Sequence, residues 1–434
     1  MIPAISESSM DSIVSPFRLW RDRNFVSLIC GTLFSVIGDG SYFIILGWFV
    51  LSVTGSEFAL GTTLTVASIP RIVFMLFGGV IADRIDRKLI IITSLLARAV
   101  ILGLFVALLF GTHGRPTLWL VDAMATIFGT IDAFFYPASG SVVPSAVPAA
   151  VLDRANSLVQ TVQQMSSVLG PFLAAGLLWM KVYQGMFGTI AVIFAISSVI
   201  LSFLRLHRGE QILAQREHVG RTSIWTDIRE GIRFVLSVRI LVIVMIVSLG
   251  INLLFMGPIN IGIPTFVNSM GWSGSTYGGY ESGFGAGAVV GGILVSILRG
   301  FRGKFLWLGV LGSVMGFAMA GIGFIQVPWG GIVLMGIMGI AVSVVDISFI
   351  TYVQTIVPSD KLGRTMSLLT LMSVGLVPVS YTASSFILQQ HVISGPTLLL
   401  VCGLVIAAMF GALYLFRDFR SVESHPLWQA NVKE

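Results

Sequence analysis

The chain has 434 residues, of which 55% are hydrophobic and only 11% charged, where an ordinary soluble domain carries roughly a quarter of charged residues. A water-soluble fold of this composition would expose most of its apolar side chains, which excludes a soluble enzyme, a disordered regulator and, despite the net charge of +6, a nucleic-acid-binding domain. The bilayer is the remaining solvent, and 48 glycines and 30 phenylalanines suit membrane helices that approach one another closely. Cys30 and Cys402 both fall in apolar runs and read as small buried hydrophobes, with no disulfide framework implied.

A helix needs about 20 apolar residues to cross the hydrocarbon core. In chain order, the first such run is 25–51, too long for a signal-peptide core and without a small-residue cleavage site. Runs at 58–82, 89–110, 117–139, 157–180 and 185–206 follow, the last two divided only by Lys181 to Gln184. After a polar stretch come 240–266, 276–298, 304–325, 329–354, 364–388 and 395–416. The expectation is an all-α membrane protein of twelve transmembrane helices. Basic residues test the count: with the N-terminus inside, 22 of the 26 Lys and Arg fall in inside segments and only Arg115 and Lys181 outside. That asymmetry predicts a multi-pass protein of the cell membrane with both termini cytoplasmic.

The polar stretch 207–239 separates residues 1–206 from 240–434. Within it, Ile228, Ile232 and Val235 have helical spacing, which predicts an amphipathic helix on the cytoplasmic face. The flanking halves are weakly alike: Arg154-Ala-Asn-Ser-Leu opens span five and Arg364-Thr-Met-Ser-Leu opens span eleven, and each span carries a proline, Pro171 and Pro378. Two pseudo-symmetric six-helix halves with a site between them are the pattern of secondary transporters.

The short loop between spans two and three reads Gly79-Val-Ile-Ala-Asp83-Arg84-Ile-Asp86-Arg87-Lys88. It resembles the loop 2–3 signature of the major facilitator superfamily. Phe135-Tyr136-Pro137-Ala138, Val143-Pro144, Val147-Pro148 and the Leu152–Leu158 stretch resemble the span 4–5 signature of one subgroup, which includes macrolide-efflux proteins, the enterobactin exporter and related drug:proton antiporters. Ser35-x-x-Gly38-Asp39 and Trp225-x-Asp-x-Arg-Glu230-Gly231 fit the same subgroup. The resemblance implies the major facilitator fold and proton-coupled efflux of small amphipathic compounds by alternating access. A siderophore or lysophospholipid exporter on the same fold is the alternative, and a non-transporting sensor or scaffold a further one. The resemblance also implies that Asp83 sits beneath the start of span eleven, near Arg364, where a helix N-terminus stabilises a carboxylate. Arg84 and Arg87 would bridge to acidic groups such as Asp153, making the loop, with Gly79 and Lys88, a conformational switch. A merely topogenic basic loop is the plainer alternative.

Charges within spans are costly and mark function. Asp39 in span one, Asp132 in span four and Asp346 in span ten are the proton-coupling candidates, and Arg71 and Arg98 the ion-pair candidates. Similar depth suggests an Asp39–Arg71 pair, either titrating or static, while Asp132 has Arg98 within comparable depth. Asp122 and Glu281, near the outer ends of their spans, read as interfacial carboxylates. Tyr42, Phe135, Tyr136, Gln160, Gln163, Asn252, Phe255, Met256 and Tyr381 are candidates for the substrate cavity. The amides of span five could equally glue helices, Pro258 and Pro264 predict a bend in span seven, and Gly283, Gly287 and Gly291 predict a close-packing face. No P-loop, H-E-x-x-H, C-x-x-C or G-x-S-x-G occurs, so no enzyme activity, cofactor or metal is expected. The expected partners are a small-molecule substrate, protons and the lipid bilayer, with the chain a monomer.

Overall fold

A computed structural model of the chain describes residues 20–84, 86–147, 151–204, 232–233, 235–298, 306–357 and 359–420. Every regular element among them is helical, as the bilayer demands of a chain that must satisfy its backbone groups within each segment. The helices are α1 (Arg23–Thr54), α2 (Glu57–Arg84), α3 (Arg87–Gly111), α4 (Leu118–Ala146), α5 (Leu152–Trp179) and α6 (Tyr183–Ser202). Then come α7 (Arg239–Gly257), a π turn Pro258–Gly262, α8 (Ile263–Ser269), α9 (Gly274–Ile297), α10 (Trp307–Ile322), α11 (Pro328–Ile356), α12 (Ser359–Gly375), α13 (Val377–Gln389), α14 (Gly395–Ala412) and a last turn α15 (Arg417–Arg420). Among the described residues nine helices are long and apolar enough to cross a membrane, and Trp307–Ile322 is a shorter apolar one. The amphipathic helix expected in the 207–239 stretch falls largely outside the described residues.

Local chemistry sets the boundaries. The Asp22 carboxylate accepts from the Asn24 N–H at 2.8 Å and opens α1, and Gly55, at φ 64°, closes it by donating its N–H to the Leu51 carbonyl. Asp86 caps α3 through the Lys88 N–H at 2.9 Å. The narrow division expected at Lys181 is real: α5 ends at Trp179, Lys181 takes φ 57°, and α6 begins at Tyr183.

Two expected single spans are built of two helices each. In the 240–266 run, Pro258 offers no N–H, and the chain passes through a π turn into α8. Ser380 of α13 repairs the ladder there. Its hydroxyl accepts from the Gly257 N–H at 2.7 Å and donates to the Leu253 carbonyl at 2.6 Å. The 364–388 run divides at Leu376, because Pro378 cannot continue the α12 hydrogen bonds.

Helices α5, α1, α6, α3, α4 and α2 pack in a chain of neighbours, and so do α9, α11, α10 and α14, with α13 against α7. The two groups meet chiefly through α5 on α9 and α2 on α13. The expected glycine face is where α9 lies on α11: a Cβ at Gly287 would strike the Gly336 carbonyl. Gly40 and Gly170 bring α1 and α5 together in the same way, and Ser41 donates to the Gly170 carbonyl at 2.9 Å.

Candidate functional site

Four helices converge on one charged network. Arg98, on α3, is fully buried. Its Nη1 donates to Asp39 Oδ1 of α1 at 2.8 Å, and its Nη2 donates to Asp132 Oδ1 of α4 at 2.6 Å. Arg71 of α2 completes the set, with Nε 3.1 Å from Asp132 Oδ2. The planar guanidinium fork of Arg98 suits such a double bridge, and the rings of Phe128, Phe135 and Phe194 surround its cation at 5.2, 4.5 and 5.6 Å. The expected Asp39–Arg71 pair is therefore corrected. Arg98 takes Asp39, and Arg71 takes Asp132 while lying 5.2 Å from the centre of the Tyr136 ring, one turn further along α4. Two arginines and two aspartates cancel. Arg98 and Asp132 are sealed in, whereas the Asp39 and Arg71 side chains keep 23% and 31% of their exposure.

That exposure opens onto a cavity of about 810 Å³. Asp39, Arg71 and Asp132 of α1, α2 and α4 line it, together with Asn260 of the π turn and Glu281 and Phe284 of α9. Phe135, Tyr136, Gln160 and Gln163 line it as the sequence suggests, and Lys88 and Leu204 line its far end. Other cavity candidates are placed elsewhere. Tyr42 is fully buried behind α1, stacked on Phe128 with ring centres 3.8 Å apart and its hydroxyl on Met124 Sδ at 3.3 Å. Asn252 turns back to the Ser248 carbonyl, and Phe255 is buried with its ring 6.2 Å from Phe284. Met256 packs against the core and offers its carbonyl to Asn260. Tyr381 packs against the core within electrostatic reach of Arg71 and Glu281. Asp346 is exposed on α11 and is not among the cavity residues.

Glu281 is the residue that sequence reasoning undervalued. It stands only a few residues from the start of its span and so reads as interfacial, yet it faces the cavity with Oε1 buried and unpartnered. Its sequence signal is the face it shares with Tyr277 and Phe284, at i−4 and i+3. Asp122, its supposed counterpart, accepts from Thr63 Oγ1 at 2.5 Å.

In the loop 2–3 signature, Lys88 Nζ donates to the Ser202 carbonyl at 2.7 Å, a cation on the C-terminal end of α6, and Arg87 opens α3. The surroundings of Gly79 and the side chains of Asp83, Arg84, Asp153 and Arg364 lie outside the described part of the structure, although α2 and α12 touch. Among the described residues no group of His, Cys, Asp and Glu is placed to hold a metal ion.

One end of the cavity is shut. Trp48, near the end of α1, stacks on Tyr277 near the start of α9 with ring centres 6.1 Å apart, and Gly274 sits against the Trp48 indole. On the α2–α13 seam the Thr65 and Thr382 hydroxyls are 3.1 Å apart. The cavity extends the other way, toward Lys88 and Leu204.

Apolar membrane-spanning helices around a polar, charged central cavity define a membrane transporter. The chain belongs to the Major Facilitator Superfamily, whose family model matches residues 28–382. It is similar to macrolide efflux protein A of Streptococcus pyogenes, 24% identical over 361 residues that cover 80% of this chain and 85% of that protein. It is also similar to the multidrug efflux pump Tap of Mycolicibacterium fortuitum, 23% identical over 340 residues that cover 76% and 81%. The fold matches the crystal structure of the nucleoside transporter NupG, with a TM-score of 0.69 at 12% identity, covering 92% of this chain and 99% of that one. The resemblance to the macrolide-efflux subgroup thus holds across most of the chain.

Proposed function

We propose that this chain is a proton-coupled exporter of small amphipathic compounds, working by alternating access in the cell membrane. In this reading twelve spans form two six-helix halves, residues 1–206 and 240–434, joined by the linker 207–239, with both termini and the linker cytoplasmic. The observation that carries it is the Asp39–Arg98–Asp132–Arg71 network with Asp39 at the cavity wall. Arg98 is held by Asp132 whatever Asp39 does, so Asp39 can take a proton from the cavity without stranding the buried guanidinium. Protonation frees the Asp39 side of the fork, and deprotonation restores it, which gives two arrangements of one network for the proton to select between.

Other observations support the reading. Aromatic side chains beside amides and charges suit amphipathic cargo. Two of the relatives carry efflux in their names, one for macrolides and one for multiple drugs. Under the proposed topology, the shut end at Trp48 and Tyr277 is the outer one, and the cavity faces the cytoplasm, ready to load. At mid-depth Asp39, Asp132 and Glu281 outnumber Arg71 and Arg98, so an anionic siderophore is the less suited cargo. Expression in an efflux-deficient host tests the proposal: the wild type should raise macrolide and dye tolerance several-fold, and Asp39→Asn, at equal membrane abundance, should not. Equal tolerance in the two strains would count against it.

A further inference from the structure

Glu281 plays no part in the exchange described above, and its surroundings are unlike those of the other cavity carboxylates. Asp39 and Asp132 each have a guanidinium within 3.1 Å. Glu281 has no ion-pair or hydrogen-bond partner among the described residues, and its Oε1 is closed off from solvent. The helix contacts set its depth. α1 and α5 run parallel, since Gly40 meets Gly170 and Ser52 meets Tyr183 just beyond the end of α5. α9 runs against them, because Tyr277 lies on Trp48 and Gly278 on Ala175. Three residues on from Gly278 is about 4.5 Å along the axis, which brings Glu281 to the level where Pro171 and Gly40 meet. Asp39 and Glu281 thus line the same cavity at similar depth from different helices. Phe284 follows Glu281 by one turn, Phe43 and Ile44 of α1 line the same space, and Asn260 of the π turn stands beside them.

We propose that Glu281 is the counter-charge for a cationic cargo, so that the cavity selects amphiphilic monocations, with the cationic centre at Glu281 and the apolar body against Phe43, Ile44 and Phe284. The inference rests on the reading of the chain as an exporter and deepens it. A half-buried carboxylate with one oxygen sealed off and unpaired is costly, and a cation that enters relieves this cost while a neutral molecule of the same size does not. The unmet charge is thereby turned into discrimination. Because Arg98 is fully buried and bridges Asp39 and Asp132 rather than Glu281, a cation can dock at Glu281 without displacing it, which leaves binding and proton exchange on separate carboxylates.

The test is equilibrium binding to the purified full-length chain of two probes, the permanent cation tetraphenylphosphonium and the neutral amphiphile N-phenyl-1-naphthylamine. The wild type should prefer the cation, and Glu281→Gln should lower that preference by about tenfold or more, the scale of one charge-assisted contact. Glu281→Asp keeps the charge but shortens its reach, and should lower the preference only several-fold. If Glu281→Gln does not accumulate, the Asp variant carries the test. An unchanged preference in the variant, or a wild type with no preference for the cation, overturns the assignment. Uphill export of the neutral N-phenyl-1-naphthylamine by the wild type would leave the exporter reading standing even so, which separates the two failures.

Discussion

The Arg98 guanidinium is the keystone of the charged network, and its burial makes the network testable one residue at a time. Arg98→Met would leave Asp39 and Asp132 facing each other with only Arg71 nearby. Breaking a buried pair in this way costs about 3–5 kcal/mol, so membrane abundance and the detergent-solubilised Tm should fall steeply. Asp39→Asn is expected to behave differently, because Asp132 still holds both arginines; its abundance should stay within about twofold of wild type by quantitative blotting. A collapse of Asp39→Asn as deep as that of Arg98→Met would show that the sharing described here is wrong. The members of the network were legible from their rarity in apolar runs, but their pairing was not. Asp39, Arg71, Arg98 and Asp132 all sit at similar depth, and which carboxylate meets which guanidinium depends on how α1, α2, α3 and α4 neighbour one another in space. Glu281 failed for a related reason: distance from a span's end measures depth only if the helix stands at a known height, and α9 is fixed by Ala175 and Trp48, not by its own sequence.

At the scale of elements, small residues set how near helices come. A side chain at Gly287 meets the Gly336 backbone, which cannot move aside as a flexible side chain would. Gly287→Leu should therefore destabilise the α9–α11 pair by about 1–3 kcal/mol or more, read as a lower Tm. A Tm equal to wild type would mean that the two helices are not in register as described. The glycine spacing announced this face and Pro258 announced the bend in span seven, whereas the division at Pro378 was not expected, since Pro171 sits inside an unbroken α5. That one hydroxyl, Ser380, joins the two broken segments was hidden, because the contact spans more than a hundred residues of sequence. The loop 2–3 signature belongs to this scale as well. If Asp83 rests under the start of α12, Asp83→Asn should remove about 0.3–1 kcal/mol of helix-end stabilisation. That shifts the balance of cavity orientations several-fold without unfolding the chain. Cysteine accessibility from each side of the membrane would read the shift, and unchanged accessibility with normal export would reduce the loop to a topogenic role.

For the whole molecule, the all-helical architecture followed from composition, hydrophobic run lengths and the sidedness of Lys and Arg. The state of the cavity did not, since closure at Trp48 and Tyr277 is made between helices far apart in the chain. With Ser223 cytoplasmic, Ser223→Cys in intact cells should resist a membrane-impermeant maleimide and react once the cells are opened. Labelling from outside would invert the proposed topology. Whether a proton moving on and off Asp39 drives export can be read in proteoliposomes holding wild type or Asp39→Asn, with a pH gradient imposed and a cationic dye followed in time. The wild type should move dye uphill until the gradient is discharged, and Asp39→Asn should not, while still exchanging dye downhill. Uphill movement by Asp39→Asn at the wild-type rate would contradict that role for Asp39.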